Sequence, residues 1–299
     1  MTSPILVPDL NQATSLYLQG LSGWRKQEDW GRWMLGHQSD IIFSSTQKQL
    51  VVLETKLYLP YKGQKIEILM NDRCLFSFTN EHHKTMEFPT RLLLNIQPGR
   101  NSVSILTNVS NRDGRQPPFA ASDPADLSIA IKGLKFRPPQ ASDQGWFGAV
   151  PSEYIGNTYT AFGSAGATLL LQGKSSGILK YSLLRKETNQ AFQILLNEKE
   201  VASLTGHPST QILRGETPLT GDPGSWLQLT FKSTVASIQT PLQGYRPAES
   251  SSVLFYAERF KYISTPAAWQ DAGALVLAVL GVGLMLAVLR FLFFRRRAT

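Results

Sequence analysis

Ile68-Leu69-Met70-Asn71-Asp72-Arg73-Cys74-Leu75-Phe76-Ser77 returns 126 residues later as Ile194-Leu195-Leu196-Asn197-Glu198-Lys199-Glu200-Val201-Ala202-Ser203. In each copy an apolar run reaches a polar pair, Asn71-Asp72 or Asn197-Glu198, and then resumes, which is the pattern of a β-hairpin with a tight polar turn. Its flanking strands are expected to bury the Ile and Leu side chains, with Cys74 as a small core residue of the first hairpin. The same offset relates residues 127–136 (LSIAIKGLKF) to 253–262 (VLFYAERFKY), and each copy opens on a Gly-Trp pair, Gly23-Trp24 and Gly145-Trp146. A constant offset across nearly the whole unit implies two tandem domains of about 120 residues each.

Outward from the hairpins, short alternating runs recur at 50–59 (LVVLETKLYL), 65–70, 102–106, 167–172, 178–184, 192–196 and 227–231. They are rich in β-branched and aromatic residues and are separated by Gly, Pro, Asn and Asp clusters, so the fold class is all-β, two tandem jelly-roll-like β-sandwiches. The expected organisation is an N-terminal segment 1–19, a first sandwich 20–138, a linker 139–144 and a second sandwich 145–265. Pro138-Pro139 ends the last strand of the first copy and stiffens the connection.

Of 299 residues 42% are hydrophobic and only 17% charged, which argues against disorder as the main state. A single cysteine excludes an intramolecular disulfide framework and any CxxC site. The net charge of +8 suggests nucleic acid at first sight, but Arg290, Arg295, Arg296 and Arg297 supply half of it within the last ten residues. The remainder is too scattered for a phosphate-tracking stripe, so no nucleic-acid partner is expected.

Residues 272–289 (AGALVLAVLGVGLMLAVL) carry no charge, and 291–294 extend the run past Arg290, which can snorkel. At about 1.5 Å rise per residue this crosses a hydrocarbon core of about 30 Å, so a transmembrane helix is expected over 269–294. Trp269 stands at one boundary as an interfacial aromatic, and Arg295, Arg296 and Arg297 form a basic tail, 295–299, that places the C-terminus in the cytoplasm. Ala274 with Ala278, and Gly283 with Ala287, would let a partner helix approach closely. Residues 1–20 lack the basic and apolar regions of a secretory signal, the default pattern of a tail-anchored protein. The arginines are given precedence here, and the bulk of the chain is expected outside the cytoplasm.

The first copy carries Gly23-Trp24, then Glu28-Asp29-Trp30-Gly31-Arg32-Trp33, then Gly36, and closes with 117–134, PPFAASDPADLSIAIKGL. This resembles the carbohydrate-binding-like jelly-roll domain at the C-terminus of bacterial phosphoglycerol transferase-type membrane glycosyltransferases, where a GW…E.WG.W..G opening and an SDPR.LG..L closing bracket the sandwich. The likeness covers about residues 20–138. Ala125 replaces the usual Arg after Asp123-Pro124, and the second copy has Tyr154, Tyr159 and Phe162 where the Trp cluster would be. The overall plan is also similar to the cellulose synthase regulatory subunit, without its α/β domains. The resemblance implies a glycan-related role for the first copy at a bacterial inner membrane, and loss of that role in the second.

Catalytic patterns are absent from the sequence: there is no GxSxG, HExxH or P-loop. His37, His82, His83 and His207 are scattered, and adjacent His82 and His83 on an extended chain point opposite ways, so no metal and no cofactor is expected. Glu28-Asp29 lacks the cross-cleft separation of a glycosidase pair. Three readings of Trp24, Trp30 and Trp33 stay open: stacking on sugar with Asp29, Arg32 and Asp40 bonding hydroxyls, packing at the end of the sandwich, or a partner interface. The expected role is a non-catalytic accessory subunit, anchored in the bilayer beside an integral-membrane complex such as a glycosyltransferase, with a glycan ligand. The alternative is a structural or assembly subunit of another membrane complex.

Overall fold

Along β4 (Gln49–Leu59) the side chains of Val51, Leu53, Leu57 and Leu59 are buried while Glu54, Lys56 and Tyr58 turn outward, the period-2 signature of a strand with one face on a core. The computed structural model describes residues 15–80, 85–113, 122–150, 160–162, 165–173, 177–184, 190–206, 212–222, 224–233 and 255–264. The first unit continues this pattern through β1 (Leu16–Ser22), β2 (Arg32–Leu35), β3 (Gln38–Ser45), β5 (Gln64–Met70), β6 (Arg73–Asn80), β7 (Met86–Ile96), β8 (Gly99–Thr107) and β9 (Leu127–Arg137). Its two antiparallel sheets run β1-β3-β8-β5-β6 and β2-β9-β4-β7. Between them lies one core, in which Phe76, Phe78 and Phe88 meet and Phe43 packs on Phe136 at 5.5 Å between centroids.

The second unit comprises β10 (Gly145–Phe147), β11 (Thr160–Phe162), β12 (Ala167–Gln172), β13 (Gly177–Leu184), β14 (Phe192–Leu196), β15 (Lys199–Leu204), β16 (Ile212–Leu219), β17 (Trp226–Ser233) and β18 (Phe255–Ser264). Its sheets run β10-β12-β17-β14-β15 and β11-β18-β13-β16, the order of the first unit with nine added to every strand. The two units are therefore the same sandwich built twice. A second core holds Leu179, Leu183, Phe192, Ile194, Leu229 and Phe231.

The repeated asparagine has a specific task. Asn71 and Asp72 adopt φ of +47° and +64°, and Asn197 and Glu198 adopt +47° and +71°, the left-handed pair of a type I′ turn. Asn71 donates its backbone N–H to the Ser102 carbonyl at 3.0 Å and accepts the Ser102 N–H on its side-chain oxygen at 2.8 Å. Asn197 makes the same two bonds with Gln228, at 2.8 and 3.0 Å. Each asparagine thus carries the ladder with β8 or β17 past the end of its strand.

The units dock through outer sheet faces. Phe147 and Leu170 of the second pack on Val52 and Leu93 of the first, with Leu50 and Trp226 at the edge. The Arg91 guanidinium lies 4.6 Å from the Phe147 ring centre, and Gly148 N–H donates to the Arg91 carbonyl at 2.7 Å. In the linker a 3-10 turn (Ala141–Asp143) delivers the Asp143 carboxylate, only 3% exposed, to Arg91 and Arg137, each at 2.5 Å. Glu198, in its left-handed conformation, reaches across to Arg73 at 2.7 Å.

Several expectations need correction or placement. The first sandwich begins at Leu16, inside the segment assigned to the N-terminus, because a bulge between Leu18 and Gly20 breaks the alternation of β1. The two Gly-Trp pairs are not equivalent. Trp146 pairs with Leu169, 126 residues after Phe43, whose own partner is Leu18; Trp146 thus sits within a strand, half-buried against the second core beside Phe231, whereas Trp24 follows β1 and is half-buried against the first core. Cys74 is half-buried rather than a core residue, since a bulge between Ile68 and Leu69 shifts it out of the inward register. The span expected at 269–294, with Trp269, Ala274, Ala278, Gly283, Ala287 and Arg290, lies outside the described residues, as do Arg295, Arg296 and Arg297. Among the described residues no helix is long and apolar enough to cross a membrane.

Burial first, with the Glu67 charge adding to it, pushes the Cys74 thiol up to about 11. At pH 8 its thiolate fraction is then lower than that of a free cysteine by about a hundredfold. Alkylation by iodoacetamide is expected to be slower by about that factor in the folded chain and to become fast on unfolding. Native labelling at the free-thiol rate would contradict it.

Candidate functional site

Residues 23–35 form a hairpin that leaves β1 and returns as β2, closed by Arg25 N–H to the Trp33 carbonyl at 2.9 Å and Leu35 N–H to the Gly23 carbonyl at 2.8 Å. Its tip is a tight turn in which Glu28 and Gly31 exchange backbone bonds at 3.0 and 3.3 Å, leaving Asp29 and Trp30 outermost. Trp30 is 39% exposed, an uncommon state for an indole. Its ring N–H donates to Glu28 Oε2 at 2.8 Å, which orients the ring without covering it.

The opening and closing motifs meet here. Arg25 Nη1 lies 2.5 Å from Asp123 Oδ2, and Asp123 Oδ1 accepts the Ala125 N–H at 2.9 Å. That backbone bond, followed by Arg25, holds the Asp123 carboxyl below the usual carboxylate range. Arg112 donates to the carbonyls of Asp123 and Pro124, at 3.0 and 2.5 Å, so the stretch lacking the resemblance's arginine at Ala125 is still clamped by a guanidinium.

Behind the tip, the outer face of the β2-β9-β4-β7 sheet is ordered in rows. Pairing across the four strands sets Trp33, Ala130, Tyr58 and Glu87 side by side. Trp33 stands edge-on to both Trp30 (5.5 Å) and Tyr58 (5.7 Å), and the small Ala130 between Trp33 and Tyr58 is completely buried. The next row holds Lys132, Lys56 and Pro89, followed by Lys135, Glu54 and Arg91, and then by Arg137, Val52 and Leu93 at the second sandwich. Lys132 Nζ is 5.7 Å from the Trp30 ring centre. Lys56 and Lys132 share Glu87 at 2.5 and 3.2 Å and keep its carboxyl below the usual range, Lys56 contributing most.

The other sequence candidates sit on the opposite side of β2. Arg32 and Trp24 line a cleft with Leu21, Gln27, Ile131, Gly133 and Leu134; at about 20 Å³ it has room for one water and not for a sugar ring. Burial lowers the Arg32 pKa, and its Nε is buried with no hydrogen-bond partner. The Trp24 indole donates to the backbone carbonyl of Asp40 at 3.1 Å, while the Asp40 carboxylate takes the Gln38 amide. The structure therefore joins Trp30 and Trp33, with Asp29 beside Trp30 on the turn, and separates them from Trp24, Arg32 and Asp40. Tyr58, Lys56, Lys132 and Glu87 were not singled out from the sequence, although the alternation within 50–59 already puts Lys56 and Tyr58 on the outward face.

In the second sandwich the pairing of Tyr58 with Glu87 is replaced by Leu184 with Ile212, and that of Lys56 with Pro89 by Ser182 with Arg214. The pairings of Tyr58 with Ala130 and of Lys56 with Lys132 are matched by Leu184 with Tyr256 and Ser182 with Arg259, so the tryptophans and lysines do not recur in the second copy, while Arg214 and Arg259 keep basic residues at matching register positions. Tyr154 and Tyr159 lie outside the described residues, and Phe162 pairs with Phe255 in β11 and β18. Among the described residues no group of three His, Cys, Asp or Glu could hold a metal ion.

No family model matches the chain, and no curated protein matches it. Among solved structures it is similar to the N-terminal tandem of family 22 carbohydrate-binding modules from a Paenibacillus barcinonensis protein, at 10% identity over 84% of this chain and 93% of that one, TM-score 0.25. A family 35 carbohydrate-binding module from an environmental isolate matches 43% of this chain and 95% of its own, at 12% identity and TM-score 0.23. A β-galacturonidase from Eisenbergiella tayi matches at 13% identity over 67% of this chain and 30% of that one, TM-score 0.21. At these TM-scores the likenesses do not bear on what this chain binds.

Proposed function

We propose that the chain is a non-catalytic accessory protein of a membrane glycosyltransferase or polysaccharide export complex. In this reading a C-terminal helix anchors it in a bacterial inner membrane with both sandwiches outside the cytoplasm, and the first sandwich holds glycan. The observation that carries the reading is the Trp30 ring, exposed at the hairpin tip, with Trp33 edge-on between it and Tyr58 along the outer sheet face. An exposed indole suits the apolar face of a pyranose, and an open row on a sheet surface suits a passing polymer better than a small molecule enclosed in a pocket. Of the carboxylates beside it, Glu28 accepts from Trp30 and Glu87 from two lysines, while Asp29 stands exposed on the turn, where it could accept from a sugar hydroxyl.

The test is calorimetric titration of the full chain in detergent micelles with a panel of soluble bacterial polysaccharides. Trp30→Ala is expected to weaken glycan binding by about tenfold, the value of one aromatic contact, with an unchanged circular dichroism spectrum. A second reading, the assembly subunit, is favoured by the anatomy around Trp30, an exposed aromatic rimmed by ion-paired side chains as at a protein hot spot. If Trp30→Ala and Trp33→Ala abolish co-purification with a membrane complex while the unaltered chain binds no glycan, the second reading replaces the first.

A further inference from the structure

From the repeat we infer that Trp269 folds back onto the outer face of the second sandwich and closes its joint with the chain that follows, as Asp143 does for the first sandwich. The inference goes beyond the glycan reading and does not depend on it. In the first unit the β2-β9-β4-β7 face ends in the row Arg137, Val52 and Leu93. Phe147 and Leu170 cover that row, so Val52 and Leu93 are only 0% and 8% exposed. Pairing sets Ile263, Ile178 and Pro218 in the same row of the second unit. There Ile178 is half-buried and Pro218 exposed, although the neighbouring Leu179 and Leu219 are completely buried in the core. The row is apolar in all three strands and uncovered among the described residues, which makes it a docking face.

The occupant follows from what changed between the copies. Counted by the offset of 126, Arg137, Gln140 and Asp143 correspond to Ile263, Pro266 and Trp269. In the first joint these three are bonded together: Asp143 accepts from Arg137 at 2.5 Å and from the Gln140 N–H at 2.7 Å. In the second copy donors and acceptor are lost together, since Ile263 has no guanidinium, Pro266 no N–H and Trp269 no carboxylate. Arg91, the other partner of Asp143, pairs with Glu54; the matching pair is Glu216 with Lys180, whose side chains bond at 2.6 Å. A carboxylate from the linker would meet Glu216 there, whereas an indole meets Ile178 and Pro218. The contact is thereby kept and its chemistry changed from ionic to apolar. Trp269 lies outside the described residues, six positions after Ile263, a reach of up to about 20 Å. Ile178 and Pro218 stand one and two strands from Ile263, about 5 and 10 Å away. In that seat the indole packs on the sandwich rather than among lipid headgroups, and the docked sandwiches keep one orientation to the anchor proposed above.

The experiment follows maleimide labelling of the full chain in detergent micelles, with Cys74→Ala removing the native thiol and Pro218→Cys placing a reporter in the row. With Trp269 present, labelling is expected to be about tenfold slower than with Trp269→Ser, because the reporter is reached only when the indole lifts. Arg214→Cys, exposed on the same strand two rows away, is expected to label at one rate with Trp269 or Trp269→Ser. Ile178→Cys reads the same row from β13 and replaces Pro218→Cys if that variant folds poorly. A rate in the row that Trp269→Ser does not change overturns the inference, placing Trp269 in the micelle interface or in solvent, and leaves the glycan reading standing. An equal acceleration at Arg214→Cys also overturns it, since Trp269→Ser would then have loosened the whole sandwich.

Discussion

Asp143→Asn is expected to destabilise the chain by about 3 kcal/mol at pH 7, as removal of one partner from a buried charge network does. The substitution keeps the shape of the side chain and removes its charge. Arg91 and Arg137 would then lie against the same amide, with Glu54 as their only remaining carboxylate among the described residues. Asp143 also accepts the Gln140 N–H at 2.7 Å, so the same atom pair that neutralises the arginines closes the linker turn. Hydrogen bonding from Arg137, and then its own turn and the two guanidinium charges, hold the Asp143 carboxyl below the usual range. A carboxyl with a depressed folded pKa stabilises fully above its unfolded value, about 3.9, and loses that contribution as pH falls through the folded value. Urea unfolding of both proteins is therefore expected to show a gap that is constant from about pH 5 to 8 and narrows below about pH 4. Loss of the network also frees Phe147 from Arg91, so the variant should unfold in two steps, the second sandwich separating from the first. A single transition with unchanged midpoint would remove Asp143 as the link between the units.

Much of the fold was legible because its strands obey period 2. The runs at 50–59, 65–70, 102–106 and 127–136 fall within β4, β5, β8 and β9, whose inner faces are mostly apolar, with Thr55, Gln64, Asn101 and Thr107 as buried polar exceptions. Part of what was missed has its cause in local irregularity. β7 and β16 lie outside the runs named above and carry Pro89 and Pro218, a residue type that central strands exclude; both strands are sheet edges, where proline is tolerated. β1 and β6 are interrupted by bulges, which shift the alternation by one residue and hid the start of the first sandwich and the true position of Cys74.

The site divides along the same line. Aromatic residues clustered in sequence identified Trp30 and Trp33, but proximity in sequence overstated their relation to Arg32 and Trp24, which successive residues of a strand direct to opposite faces. The partners that make the platform, Tyr58, Lys56, Glu87 and Lys132, come from β4, β7 and β9, and only cross-strand register assembles them. Register was not readable from one sequence because each of those strands could slide by two residues and keep its inner face apolar.

Gly23→Ala carries the other large expected effect, a loss of about 3 kcal/mol from two additive causes. Gly23 has φ of +73°, a conformation that costs a residue with a Cβ about 1 kcal/mol or more. A Cβ there would lie 2.3 Å from the Gln38 carbonyl oxygen and 2.9 Å from Ser39 Oγ, and the carbonyl belongs to the start of β3 and cannot swing away. The Gly23 carbonyl itself accepts from Ser39 Oγ and from Leu35 N–H, so the strain falls on the point where the hairpin is pinned to the sandwich. For a chain of this size the cost corresponds to a lowering of the first unit's melting temperature by about 10 °C. The matched control is Gly20→Ala: no atom lies within 4 Å of its added Cβ, and its change is expected to stay within about 0.5 kcal/mol. Because the displaced hairpin carries Trp30, Gly23→Ala should also weaken whatever binds the platform at temperatures where the sandwich is still folded, while Gly20→Ala should not. Equal melting temperatures for the two variants would mean that the hairpin is not anchored at Gly23, and the rigid presentation of Trp30 would then need another cause.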